Sequence, residues 1–276
     1  MFVTFFNKII SVILVPIFMC QISPVFLIKK LVNKPKEMIQ ISDQFDEHVN
    51  FTAHRGTWSI APENTLPAYE KAVELGYYSA ECDIRLTSDN VWVLSHGSDI
   101  NKRFWQIGNV EETDFETIRT YTYKNGPNFW EYKDMQIPTL DEYLDVFVGS
   151  STRPQIEIKT ENYDLLYTVV DAIKAKGLEK SAIIISFDLK QLQVIRELDK
   201  DVELWYLVDY ISDKEIEDAK SINGWLSANF EKNDENSIKN VIASGVGVSF
   251  WTVNTPEDAK MLYDLGVRYI ETDILF

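Results

Sequence analysis

Three polar pairs interrupt otherwise apolar stretches of this chain: His54-Arg55, Glu81-x-Asp83 and Glu157-x-Lys159. Alternate residues of a strand share a face, so Glu157 and Lys159 point away from Ile156 and Ile158, and Glu81, Asp83 and Arg85 stand together. Glu81, Asp83 and Glu157, converging from neighbouring strands, would make a hard oxygen site suited to one Mg2+ or Ca2+ rather than to zinc. Arg55 and Lys159 supply positive charge for a phosphate, the arginine through a fork that matches paired oxygens. His54 and His96, two of only three histidines, fall beside these groups. Imidazole is matched near neutral pH to both proton transfers of a phosphodiester cleavage. Singly the signals are weak, because a strand histidine is more often a core or surface residue and Glu-x-Asp more often a solvated face. Their weight is that all of them fall near one rim.

The elements that must position these residues alternate in type. Strands are expected at Phe51–His54, Tyr78–Thr87, Pro154–Lys159, Ala182–Phe187, Val202–Val208, Trp225–Phe230, Val246–Val253 and Arg268–Thr272. Helices are expected after Asn64 or Thr65 as cap, from Ile137-Pro-Thr-Leu140 through Val148, and at Asp164–Lys176, Leu189–Leu198, Asp213–Lys220, Asn236–Ser244 and Pro256–Leu265. Eight strands alternating with helices read as an α/β chain folded into a (β/α)8 TIM barrel, whose chemistry lies at the strand C-termini. The turn Ser88-Asp89-Asn90 is too short for a parallel crossover, so Val91–His96 should fold back as a β-hairpin excursion after the second strand. A two-residue Asp89-Asn90 loop would set His96 directly opposite Asp83, and a longer loop would shift that register. Residues 97–138 read as a long aromatic connection with one helix near Asp114–Thr120.

At 276 residues, with 45% hydrophobic and 13% aromatic content, the chain can bury one large core. A net charge of −16 argues against nucleic acid, which wants a basic stripe. Cys20 and Cys82 suggest neither a disulfide nor a metal-binding spacing. Residues 9–28 carry no charge, and at about 1.5 Å per residue they match a bilayer core of about 30 Å. Residues 1–28 therefore read as a hydrophobic helix anchoring the chain to a membrane. Pro16 and Pro24 keep an interfacial segment, or a signal removed on secretion, as alternatives. Lys29, Lys30, Lys34 and Lys36 outweigh Lys8, which favours a cytoplasmic barrel over a secreted one without fixing the side. Residues 29–50 read as a linker and 51–276 as one domain.

Together the motifs resemble the glycerophosphodiester phosphodiesterase family across nearly all of residues 51–276. The matching pieces are His54-Arg55-Gly56, Pro62-Glu63-Asn64-Thr65, Glu81-x-Asp83, Thr87 with the Asp89-Asn90 turn, His96, Ile137-Pro-Thr-Leu140, Glu157-Ile-Lys159, Ser186-Phe187, Trp251-Thr-Val-Asn254 and Thr272-Asp273. The resemblance implies a distorted TIM barrel that hydrolyses glycerophosphodiesters to glycerol 3-phosphate and an alcohol. It implies a divalent cation on Glu81, Asp83 and Glu157, and an acid/base pair His54 and His96. It also implies phosphate contacts from Arg55 and Lys159, Trp251 lining the pocket, and Glu63 as a carboxylate standing behind these groups. One departure is that the family pattern has Asp directly after the second histidine, where this chain reads His96-Gly97-Ser98-Asp99. The aromatic segment and the apolar N-terminus motivate a lysophospholipase D-like alternative on lipid phosphodiesters. The departure at His96 motivates a catalytically weakened, membrane-tethered binding barrel. A glycosidase using two carboxylates would leave both histidines without a role.

Overall fold

The structure, a computed structural model, describes residues 49–274 except 133. The expected anchor at 1–28, and all but the last two residues of the expected linker, lie outside the described residues. Among the described residues no helix is long and apolar enough to cross a membrane.

Nine strands form the sheet: β1 (Asn50–Ala53), β2 (Ser79–Leu86), β3 (Trp92–Leu94), β4 (Arg153–Ile158), β5 (Ile183–Ser186), β6 (Glu203–Val208), β7 (Trp225–Asn229), β8 (Val248–Trp251) and β9 (Tyr269–Thr272). Their order is β1-β9-β8-β7-β6-β5-β4-β2-β3, and β1 also pairs with β2, so eight parallel strands close a (β/α)8 barrel. The β1–β2 ladder covers only Ser79 and Ala80 of β2. Farther along β2, from Ile84 to Leu86, the antiparallel hairpin strand β3 pairs instead. That substitution is the distortion of the barrel.

Strand alternation divides the side chains. Cys82, Ile84, Ile156 and Ile158 face the layer of helices, packed with Tyr143, Leu144, Phe147 and Val169. The barrel floor is aromatic: Trp205 and Trp225 stack at 5.4 Å, with Tyr269 edge-on to both. Gly247 belongs to this floor, since a Cβ there would lie 2.1 Å from the Trp225 ring. Above the floor the filling turns polar, with Thr52 on Ser79, Ser79 on Gln155, and Gln155 on Glu271.

The helices fall where the apolar period of 3.6 placed them, including Leu66–Glu74 and Leu140–Phe147. The latter begins at a capping box of Thr139 and Glu142. The N-cap position of Leu66–Glu74 is Thr65, one of the two expected residues, though its side chain makes no capping bond. Asn64, the other, is left-handed at φ 56° and its side chain is used elsewhere. One expectation changes. The segment after β3 is a packed unit rather than an irregular connection. Ile100, Phe104, Val110, Ile118, Tyr123 and Ile137 bury against Val93 as a separate small core.

Candidate active site

The β1 strand ends at Ala53, and His54 continues its line, its N–H bonded to Thr272 O. Arg55 then takes a left-handed conformation at φ 54°, a cost tolerated where surrounding bonds fix it. This geometry turns the Arg55 N–H onto Glu81 Oε2 at 2.8 Å. Gly56 follows at φ 77°, and a Cβ there would stand 2.8 Å from Ala68 Cβ, so the loop can hug the helix only with glycine.

On β2 and β4 the ladder register sets Asp83 beside Glu157. Glu81, Asp83 and Glu157 present ligand atoms within 4.8 Å of one another. Glu81 Oε1 and Asp83 Oδ1 are buried without a hydrogen bond. Lys159 Nζ lies 3.3 Å from that Asp83 oxygen and donates to Glu157 Oε1 at 2.5 Å. Buried carboxylate oxygens without a hydrogen bond fit a hard dication, which needs several oxygens and no proton. These residues suit the cation on which the sequence reading rests.

The charges are strongly perturbed. Burial raises Glu81 well above the carboxylate range, reinforced by Asp83, Glu271 and Glu157. Burial also lifts Glu157, with Asp83 adding to it, to about 7. Burial pushes Asp83 the same way, but Lys159, Arg55 and the Asn64 amide overcome it and hold the carboxyl well below its ordinary value. Asn64 earns its left-handed backbone here: its Nδ2 donates to Asp83 Oδ2 at 2.8 Å, while its Oδ1 accepts from Asp83 N and Tyr69 OH.

His54 donates from Nδ1 to Asp273 Oδ1 at 2.5 Å, a carboxylate further held by Trp58 Nε1 and Asn254 Nδ2. Burial alone would depress the imidazole, yet the Asp273 hydrogen bond and the Glu271 charge raise its pKa above the ordinary value. His96 is different. The β2–β3 loop has three residues, with Thr87 N–H on Val91 O, Asn90 N–H on Thr87 O and Asn90 left-handed at φ 65°, a turn followed by an αL residue. The register therefore shifts by one from the two-residue expectation, and Ser95, not His96, stands opposite Asp83, its N–H on Asp83 O at 3.0 Å. His96 instead lines a pocket of about 290 Å³ with Arg55, Glu63, Asn64, Lys102, Arg103 and Tyr123. Its pKa falls to about 4, through lost hydration and the charges of Arg55 and Lys159, against the pull of Asp83. Asp99 lines the same pocket but makes no hydrogen bond to His96; its Oδ1 accepts from Asn101 N.

Of the remaining sequence candidates, Glu63 lies between Arg55 Nη1, at 3.2 Å, and Arg103. Trp251 lies on the rim edge-on to Phe187, its Nε1 donating to Ser227 O. It has no hydrogen bond to the ionic cluster.

The model of the glycerophosphoryl diester phosphodiesterase family matches residues 54–275. The chain belongs to that family. It is an enzyme, a phosphoric diester hydrolase. A glycerophosphodiester phosphodiesterase of Caldanaerobacter subterraneus is 28% identical over 238 residues, covering 80% of this chain and 92% of that protein. The uncharacterized protein YqiK of Bacillus subtilis is 28% identical over 227 residues, covering 80% and 93%. Among solved structures, a glycerophosphodiester phosphodiesterase of Parabacteroides distasonis superposes with a TM-score of 0.69 at 24% identity, covering 83% of this chain and 95% of that one. A phosphodiesterase of Oleispira antarctica in complex with the product sn-glycerol-3-phosphate gives 0.72 at 22%, covering 82% and 93%. The family's members are generally dependent on a divalent metal, and this chain has ligand groups for one.

Three site residues escaped the sequence reading: Asn64 as the support of Asp83, and Asp273 and Glu271 around His54. Asp273 was visible only as part of a matching motif. Glu271-x-Asp273, at the end of β9 and just past it, repeats the spacing of Glu81-x-Asp83, and that is the available signal.

Proposed function

We propose that the chain hydrolyses glycerophosphodiesters to glycerol 3-phosphate and an alcohol, using one divalent cation on Glu81, Asp83 and Glu157. The observation that carries this reading is the buried trio, with Glu81 Oε1 and Asp83 Oδ1 lacking a hydrogen bond, bracketed by Arg55 and Lys159 and flanked by two imidazoles. The cation, Mg2+ or Ca2+, would supply charge neutralisation at the phosphoryl oxygens. Arg55, its guanidinium held by Glu63, and Lys159, held by Glu157, would bind the remaining phosphate oxygens. The environments of the two imidazoles differ in sign, which is how an acid and a base are told apart. His54, with Asp273 on Nδ1, would carry a proton on Nε2 for the departing alkoxide. His96, with a lowered pKa, would be neutral and accept the proton of the attacking hydroxyl. Trp251 and Phe187 would wall the opposite rim. Hydrolysis of a panel of glycerophosphodiesters with and without EDTA tests this reading; turnover that is absent, or indifferent to chelation, overturns it.

One observation favours a second reading, action on lysophospholipids. The excursion exposes Trp105 at 67%, Ile107 at 95% and Trp130 at 63%, and exposed aromatic and aliphatic side chains suit a lipid interface. Comparing a lysophospholipid with its deacylated glycerophosphodiester separates the two; no turnover of the lipid removes the second.

A further inference from the structure

Next to the trio is a second group of ligand-type atoms, from His54, Glu81 and Glu271, also within 4.8 Å of one another. Each residue is fixed through one atom and presents another. His54 is fixed through Nδ1 by Asp273 at 2.5 Å, which leaves the lone pair of the neutral ring on Nε2. Such a carboxylate behind the far nitrogen is what orients a metal-ligating histidine. Glu271 is fixed through Oε2, which accepts from Gln155 Nε2 at 3.0 Å. Its Oε1 faces His54 Nε2 at 3.9 Å, too far for a hydrogen bond. Glu81 is fixed through Oε2 by the Arg55 N–H, while its Oε1, in a residue only 1% exposed, has no partner.

Glu271 has no place in the trio, and in the proposed hydrolysis it acts only through its charge on His54. It is 4% exposed, and its one side-chain hydrogen bond, from Gln155, leaves Oε1 turned toward His54 and Glu81. The donor set differs in kind from the trio as well. One imidazole nitrogen with two carboxylates suits Zn2+ or Mn2+, whereas Mg2+ keeps to oxygen.

We propose that His54 Nε2, Glu81 and Glu271 form a second, transition-metal site, and that an ion bound there inhibits the enzyme. Inhibition follows because the ion takes the Nε2 lone pair that must carry the proton to the leaving alkoxide, and because it competes for Glu81. The inhibitory part rests on the assignment of His54 above; the binding part does not.

The test uses the full-length chain saturated with Mg2+ and titrated with Zn2+. Calorimetry is expected to show one Zn2+ per chain in the wild type and at least tenfold weaker binding in Glu271→Gln. Imidazole 15N spectra should move His54 Nε2 on adding Zn2+ but not on adding Mg2+. Relative to its own rate without Zn2+, Glu271→Gln should need at least tenfold more Zn2+ to halve Mg2+-supported hydrolysis. Zn2+ binding that survives Glu271→Gln unchanged, or a His54 resonance that ignores Zn2+, overturns the proposal. Should the variant fail to fold, the wild-type spectrum decides alone. Should the wild type hydrolyse no diester, calorimetry and spectra still decide the site, so the two readings fail separately.

Discussion

His54 Nδ1 and Asp273 Oδ1 stand 2.5 Å apart although 219 residues separate them. The contact exists because β1 and β9 are neighbours at the closure of the barrel. It fixes the imidazole tautomer, since an ionised carboxylate can only accept. Proton transfer of this kind contributes about 10²–10⁴-fold in rate. His54→Ala is therefore expected to lower kcat by about that much, and Asp273→Asn by a smaller factor with KM little changed. If His54 protonates the leaving group, its loss should matter far less for a p-nitrophenyl diester than for a choline diester. Equal losses on both substrates would remove it from that role.

The same pair makes a stability prediction. Burial opposes the charge on Asp273, but the His54, Trp58 and Asn254 hydrogen bonds bring its pKa down to about 2. A depressed carboxylate stabilises above its ordinary pKa, and that contribution fades as pH falls through the folded value. The His54 pKa is raised, so its contribution is complete below the ordinary value of about 6.5 and fades as pH rises through the folded one. The pair thus stabilises most between about pH 4 and about pH 6.5. Thermal melts of cation-free Asp273→Asn should fall below wild type chiefly in that window. A pH-independent deficit would assign the loss to packing.

Cation binding should depend on pH through Glu157. Its carboxyl is lifted by burial and by Asp83 to about 7, so at lower pH the cation-free chain holds a proton that the cation must displace. Affinity for Mg2+ or Ca2+ should weaken by up to about tenfold for each pH unit below about 7. Calorimetry in buffers of different ionisation enthalpy should detect the released proton. Binding without proton release would contradict the raised carboxyl.

Local pattern made much of this fold legible. Ile156-Glu157-Ile158-Lys159 alternates so sharply that one residue type faces the helices and the other the interior. The register of β3 was not legible, because it turns on Asn90 adopting φ 65° and so making a three-residue loop. The 97–138 segment looks irregular because its core residues are widely and unevenly spaced, from Ile100 to Ile137, and close on Val93 outside it. Asn64 and Thr65 are both good caps by residue type, and the sequence does not separate them. The partner of Asn64, Asp83, is on β2, and no local pattern encodes that contact.

Asn64 supports a further prediction. Asn64→Ala removes the amide from Asp83 Oδ2 and leaves the buried Asp83 N–H and Tyr69 OH without their acceptor. Unsatisfied buried groups cost about 1–3 kcal/mol, so the variant should melt measurably lower. Groups that hold a metal ligand typically change affinity by about 10–100-fold. Asn64→Ala should weaken cation binding within that range, while Asn64→Asp adds a like charge beside Asp83 and should do worse. Unchanged cation affinity in both would separate Asn64 from the metal trio.

Glu63 couples the excursion to the phosphate ligand. Its carboxylate accepts from Arg55 Nη1 on one oxygen and pairs with Arg103 on the other, and all three line the pocket that holds His96. With Arg103 present, Glu63 divides its attraction between two cations and Arg55 keeps charge for a phosphate. Arg103→Ala should hand the whole of Glu63 to Arg55, tightening that pair at the expense of the substrate. The expected result is a several-fold rise in KM with kcat nearly unchanged, and partial rescue by Arg103→Lys, which restores the charge but not the fork. Arg55→Ala should cost much more, in both parameters, because a ligand to the reacting phosphate strengthens its hold in the transition state. If Arg103→Ala lowers kcat as severely as Arg55→Ala does, Arg103 itself contacts the phosphate and the relay through Glu63 is wrong.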